Sequence, residues 1–182
     1  KLGWAVPRFI PESKLGSLED LKKEEVRDKL NGKVQGINPG SGLMRLSKQA
    51  MKEYDFEGYE LMTASGAGMT AALEKAIEDR EWIVVTVWSP HWVFAKWDLR
   101  YLKDPKKVMG GEEKIHAFGR KGLKKDHPQV VAFLKNFSLK MEHLEKMLYE
   151  ANETSYEKAV DQFYQNHPEL IEKWISTRSE SI

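Results

Sequence analysis

The sequence predicts an α/β fold: a parallel-type sheet flanked by helices, followed by an all-helical tail. Strand-like and helix-like apolar periods alternate between Lys33 and Trp97, the pattern of parallel strands joined by helical crossovers. Each of these strands runs into a junction of small or capping residues that opens a helix. From Asp126 onward only helical periods remain.

Composition sets outer bounds. Of 182 residues 41% are hydrophobic and 31% charged, a globular composition that rules out disorder. Lys and Arg number 29 against 28 Asp and Glu, a net charge of +1, so nothing global calls for nucleic acid or an anionic membrane as partner. The absence of Cys removes disulfides, thiolate catalysis and Cys-based zinc sites but does not choose a compartment. No run approaches the roughly 18 apolar residues of a spanning helix.

Lys1-Leu2-Gly3-Trp4-Ala5-Val6-Pro7 reads as a strand already under way, without a basic region and apolar signal core before it, and predicts a processed form or a piece of a longer polypeptide. Pro7, Pro11 and Gly16 punctuate a loop. Ser17-Leu18-Glu19-Asp20 is a capping-box pattern that starts a charged, solvated helix to about Leu30. After the Asn31-Gly32 turn, Lys33 to Ile37 is a short strand. Asn38-Pro39-Gly40-Ser41-Gly42 is its junction, and Leu43, Leu46, Ala50, Met51 and Tyr54 recur at helical spacing.

The unit then repeats. Tyr59-Glu60-Leu61-Met62 is a strand, Ser65-Gly66-Ala67-Gly68 a junction, and Met69, Ala72, Leu73, Ala76 and Ile77 a buried helical stripe. Trp82-Ile83-Val84-Val85-Thr86-Val87 is the most apolar strand, suited to a sheet centre. In Trp88-Ser89-Pro90-His91-Trp92 the order Ser-Pro predicts an N-cap and first helical residue, with Val93, Phe94 and Trp97 on the helix. Tyr101 to Gly111 reads as a turn-rich connection and Ile115 to Phe118 as a last strand. The tail breaks near Asn136-Phe137, Ala151-Asn152 and Asn166-His167-Pro168, and residues Thr177 to Ile182 read as frayed.

The carboxyl ends of parallel strands share one edge, where open α/β sheets bind ligands. The first junction offers bare backbone N–H groups at a helix N-terminus, which suit a carboxylate or phosphate; the second is similar. The third presents the indole of Trp88, a cation-binding face, beside His91 and Trp92. An anion cradle beside a tryptophan points to a small zwitterion with a quaternary ammonium head, though such a site needs several rings. The plainer alternative is that the small residues only make the turns. Trp4, Trp82, Trp92, Trp97 and Trp174 lie on apolar stripes and read as core. Gly66 to Ala71 matches the G-x-G-x-x-A dinucleotide pattern, but Thr86 to Trp88, some twenty residues on, offer no acid for a ribose hydroxyl, so NAD is rejected and no cofactor is expected. The histidines show no metal spacing, and no Ser-His-Asp set assembles; neither a metal site nor catalysis is expected.

Gly36-Ile37-Asn38-Pro39-Gly40-Ser41-Gly42-Leu43-Met44, Ser65 to Leu73, and Val85-Thr86-Val87-Trp88-Ser89-Pro90-His91-Trp92 resemble the glycine betaine/proline betaine substrate-binding proteins of ABC transporters. So do Tyr101 to Pro105, Ile115-His116 with Arg120-Lys121-Gly122, and the opening Gly3 to Pro7. The resemblance implies a type II periplasmic-binding-protein fold, two lobes that close on a solute, and no enzyme activity. It implies Trp88 as one wall of a tryptophan prism and the amides of Gly42 and Leu43 as the carboxylate site, with Ser41, Ser65 and His91 near the pocket.

The family's other cage tryptophans, on the partner lobe, have no counterpart here. The resemblance therefore implies a ligand-binding lobe over residues 1–122, with hinge-crossing strands at both ends, and a helical tail over 123–182 that braces a missing lobe. A second polypeptide or a second copy of the chain would complete it. The remaining expectations are a glycine betaine-like ligand, an ABC permease as partner, and a periplasmic or extracytoplasmic, membrane-associated location. Two other classes stay open: a small α/β enzyme gripping a phosphate or acyl group at the junctions, and an interaction module that docks through its tail.

Overall fold

The computed structural model describes residues 1–111, 114 and 116–176. The chain forms two compact units, Lys1–Glu112 and Glu113–Ile182.

The first unit is built on a five-stranded mixed sheet, order β3-β2-β4-β1-β5, of β1 (Leu2–Pro7), β2 (Lys33–Gln35), β3 (Glu60–Met62), β4 (Val85–Trp88) and β5 (Leu99–Tyr101). The parallel part lies where the alternating periods place it: β2 pairs parallel with β3, Lys33 opposite Glu60, and with β4 at Gln35 and Val85. The opening strand inserts antiparallel between β4 and β5, with Gly3 opposite Val87 and Ala5 opposite Tyr101. Alternation along β1 sends Trp4 and Val6 into one apolar cluster and Ala5 into another, so each sheet face is covered.

Helices α2 (Gly42–Glu53) and α3 (Gly66–Glu78) are the crossovers of the parallel part. Each starts at a serine cap: Ser41 Oγ accepts from the Met44 N–H at 3.2 Å and Ser65 Oγ from the Gly68 N–H at 3.0 Å. Their inward stripes, Leu43, Met44, Ser47 and Ala50 on α2 and Met69, Leu73 and Ala76 on α3, are buried. Gly32, between α1 (Glu24–Lys29) and β2, has φ +60, and a Cβ there would sit 2.4 Å from the Gly58 carbonyl. Glycine is required at that turn.

Several expectations are corrected in this unit, among them the strand expected over residues 82–87, which runs instead from Val85 to Trp88. The helix from Ser17 to Leu30 is two pieces, a 3-10 turn Leu18–Lys22 inside the expected capping box and then α1, separated at Lys23 in extended conformation. It is not merely solvated, because Leu18, Leu21, Val26 and Leu30 join the core around Trp4, and that burial outweighs the charged sequence. The helix after Trp88 begins at Val93 rather than Pro90: α4 (Val93–Lys96) is one turn, and Ser89 caps nothing there. Tyr101 closes the edge strand β5 instead of opening a loop, because β1 supplies its ladder.

The second unit is helical: α5 (Leu123–Asp126), α6 (Pro128–Asn136), α7 (Met141–Glu153), α8 (Tyr156–Asn166) and α9 (Pro168–Ile175). The breaks near 136 and 166 fall as expected, while the one near 151 comes slightly later, at Thr154, before Ser155 caps α8 by accepting from the Lys158 N–H. α7 packs on α8 and α6 on α9. Phe163, His167, Phe137 and Trp174 stack in the middle, with Phe137 and Trp174 4.6 Å apart. His116, Ala117 and Phe118 form no strand, and Ile115, with the frayed end expected at 177–182, lies outside the described residues.

Candidate functional site

Because β2, β3 and β4 run the same way, the chain leaves all three at one sheet edge. That edge gathers Ser41, Gly42 and Leu43 after β2, Ser65 after β3, and Trp88 at the end of β4.

At the mouth of α2 the N–H groups of Gly42 and Leu43, the first two of the helix, have no acceptor among the described residues. They are donors left over by helix geometry, and the positive end of the helix dipole lies with them. No atom would lie within 4 Å of a Cβ at Gly40, Gly42 or Gly66, so these glycines are not required by close packing; they leave the mouths bare. Leu43 is buried beneath, anchoring its amide, while Gly42 is exposed. The cap oxygens of Ser41 and Ser65 are each engaged by one helix N–H, which leaves each hydroxyl proton available to a ligand oxygen.

Trp88 is half-buried. Its indole meets the His91 imidazole edge-on, ring centroids 4.4 Å apart and planes at 79°. His91 is 9% exposed. Its Nδ1 accepts from the Val93 N–H at 3.2 Å, which places the proton of the neutral ring on Nε2. Burial pushes the His91 pKa below the ordinary imidazole value and favours the uncharged ring, so no positive charge competes with a cation at the neighbouring indole.

The chain's tryptophans divide by what occupies them. Trp4 is buried, with Nε1 donating to Ser47 Oγ at 2.9 Å. Trp174 is buried in the helical unit. Trp82 carries the Lys29 ammonium at 5.3 Å, and Trp92 and Trp97 share that of Lys96, 5.9 and 4.7 Å from their centroids. The expectation that Trp82, Trp92 and Trp97 are core is therefore corrected to partial burial, their outer faces covered by lysines. Among the described residues no cationic side chain lies over Trp88.

Sequence reading did not single out Ser89 and Tyr101 beside these residues. Their hydroxyls lie 2.9 Å apart, and a Cβ on Gly3 would collide with the Tyr101 ring; both residues lie in segments that carry the family resemblance, which was the signal that could have pointed to them. Cavities of about 210 Å³ beside Trp4 and Asp104, and of about 320 Å³ between α7 and α8, lie elsewhere and contain none of the residues expected at the site. Among the described residues no three His, Asp or Glu side chains gather to hold a metal, and no helix is long and apolar enough to cross a membrane.

A mixed sheet with both faces covered, its parallel strands opening into helix mouths at one edge, defines the class: a lobe of the type II periplasmic-binding-protein kind. Residues 1–166 match the OpuAC family, the substrate binding domain of ABC-type glycine betaine transport system. The chain belongs to that family. It is 39% identical over 155 residues to the glycine betaine/carnitine transport binding protein GbuC of Listeria monocytogenes, a match covering 84% of this chain and 52% of that protein. The chain thus spans about half the length of this curated relative. Lactococcal OpuAC, in its closed-liganded conformation complexed with glycine betaine, superposes with TM-score 0.75 at 35% identity, over 97% of this chain and 67% of that one. The glycine betaine, L-proline ABC transporter binding protein ProX of Borrelia burgdorferi gives TM-score 0.70 at 30% identity, over 97% and 66%.

Proposed function

We propose that this chain supplies part of the binding site for glycine betaine or a related quaternary ammonium zwitterion, as the solute-binding component of an ABC importer. The observation that carries the reading is the shared edge: Trp88, with no cationic side chain over it among the described residues, ends β4 at the same sheet edge as a helix mouth whose first two amides have no acceptor among those residues. A trimethylammonium head has no N–H to donate, so an aromatic face is its natural partner. The amides of Gly42 and Leu43 suit the carboxylate, with Ser41, Ser65 and His91 at the rim. Similarity to a glycine betaine/carnitine binding protein and to a structure holding glycine betaine supports this choice of ligand.

In this reading no bond is made or broken. The chain binds, and a permease takes the solute onward from the extracytoplasmic side of the membrane. Each cation–π contact contributes roughly 0.5–1 kcal/mol when exposed and about 2 or more when desolvated, so a useful site needs further aromatic walls. The chain spans about half of its curated relative, and the remaining walls belong to a complementary lobe or a second copy. Residues 1–122 then act as the ligand-binding lobe and 123–182 as helices that brace its partner.

Calorimetry tests this directly. Glycine betaine titrated into the isolated chain should give little heat, and addition of a complementary lobe from a relative should raise the affinity sharply. Submicromolar binding by the chain alone would show that no further wall is needed.

A further inference from the structure

The Tyr101 side chain comes from the edge strand β5, yet its ring lies across β1 rather than over its own ladder partner. A Cβ on Gly3 would fall 2.8 Å from Tyr101 Cδ1 and 3.1 Å from Cε1, so only glycine leaves the path open. Phe94 of α4 packs on the ring, centroids 5.1 Å apart. The hydroxyl reaches the turn after β4, where it lies 2.9 Å from Ser89 Oγ. The Ser89 N–H in turn donates to the Lys1 carbonyl at 2.8 Å. Ser89 directly follows Trp88, and Phe94 belongs to the helix that follows His91. Tyr101 therefore holds both ends of the segment 89–94, which begins where β4 leaves Trp88 and carries His91, the ring packed edge-on against the Trp88 indole.

We propose that Tyr101, seated over Gly3 and bonded to Ser89, is a positioning residue that sets the orientation of the Trp88 indole for ligand. It acts through Ser89 and Phe94, not by touching the solute. The inference rests on the reading of Trp88 as a ligand wall, but the orientation itself is measurable without ligand. A ring that must present one face to a cation loses affinity when its backbone can rock, because each bound geometry then has to be selected from several.

The test uses the full chain labelled with 15N and the indole N–H resonance of Trp88, assigned by its loss in Trp88→Phe. Tyr101→Phe keeps the ring over Gly3 and deletes the hydroxyl; Ser89→Ala deletes the other end of the bond. Each is expected to shift or broaden the Trp88 resonance while those of Trp4 and Trp174 stay in place, and the double variant adds nothing to either single one. Glycine betaine titrated into the same chains completed by a complementary lobe should bind about 3- to 10-fold more weakly in either variant, the scale of one lost hydrogen bond. A Trp88 resonance that stays put in both variants overturns the proposal. If the resonance moves in Tyr101→Phe but glycine betaine leaves it untouched in the unmodified chain completed by a complementary lobe, the site reading fails while the positioning role stands.

Discussion

The His91 imidazole packs edge-on against the Trp88 indole, centroids 4.4 Å apart, while its Nδ1 accepts the Val93 amide proton. This one side chain thus joins the end of β4 to the first turn of the next helix, and its burial favours the uncharged ring beside the proposed cation site.

Acid should cost this unit stability through His91. Its folded pKa lies below the ordinary value of 6.5 because of burial, so the unfolded chain binds the proton more readily. Stability is unaffected well above 6.5 and falls as pH drops below it, until the folded-state ring also protonates. Thermal midpoints measured from about pH 7.5 to about pH 5 should fall, and His91→Asn, whose amide oxygen can replace Nδ1, should flatten the slope. An identical slope in the variant would show that the buried ring does not carry the effect.

Trp88 and Trp97 should separate binding from stability. In the chain completed by a second lobe, Trp88→Ala is expected to lose roughly 1–3 kcal/mol of glycine betaine affinity. Trp97, already covered by Lys96, should on truncation lower the unfolding midpoint and leave affinity nearly unchanged. Isothermal titration and denaturation on the same samples distinguish the two; equal affinity in wild type and Trp88→Ala would refute the site.

Gly42→Pro removes one N–H without disturbing the helix. Position 42 is the first residue of α2, where proline is favoured, and Ser41 at φ −72, ψ 152 is already in the conformation that precedes proline. The midpoint should hold, while affinity for glycine betaine in the completed protein drops by about 1.5–3 kcal/mol, the scale of a hydrogen bond to a charged group. Unchanged affinity would mean that this amide does not meet the carboxylate.

Ser47→Ala should be costly out of proportion to its size. It strands the buried Trp4 Nε1 without its acceptor at 2.9 Å, a loss of about 1–3 kcal/mol in urea unfolding. Adding Trp4→Phe should cost less than the sum of the two single changes, because the donor is then gone as well.

Much of the lobe was legible in the chain because its signals are short-range. The serine caps at 41 and 65 act on residues three positions away, and the stripes of α2 and α3 repeat within a turn. The parallel direction of β2, β3 and β4 follows from the helices between them, and with it the sheet edge to which Gly42 and Trp88 both belong.

The sequence by itself determined those caps, stripes and crossovers, and so that the ends of β2, β3 and β4 share one sheet edge. Tertiary structure alone decided where β1 inserts, that Tyr101 belongs to a strand, that Tyr101 reaches over Gly3 to Ser89, and which tryptophans are covered by lysines. The physical reason is range. Leu102 donates to the Trp4 carbonyl, and Arg8 to that of Asp98, across some ninety residues of chain, and no local periodicity encodes a partner that far away.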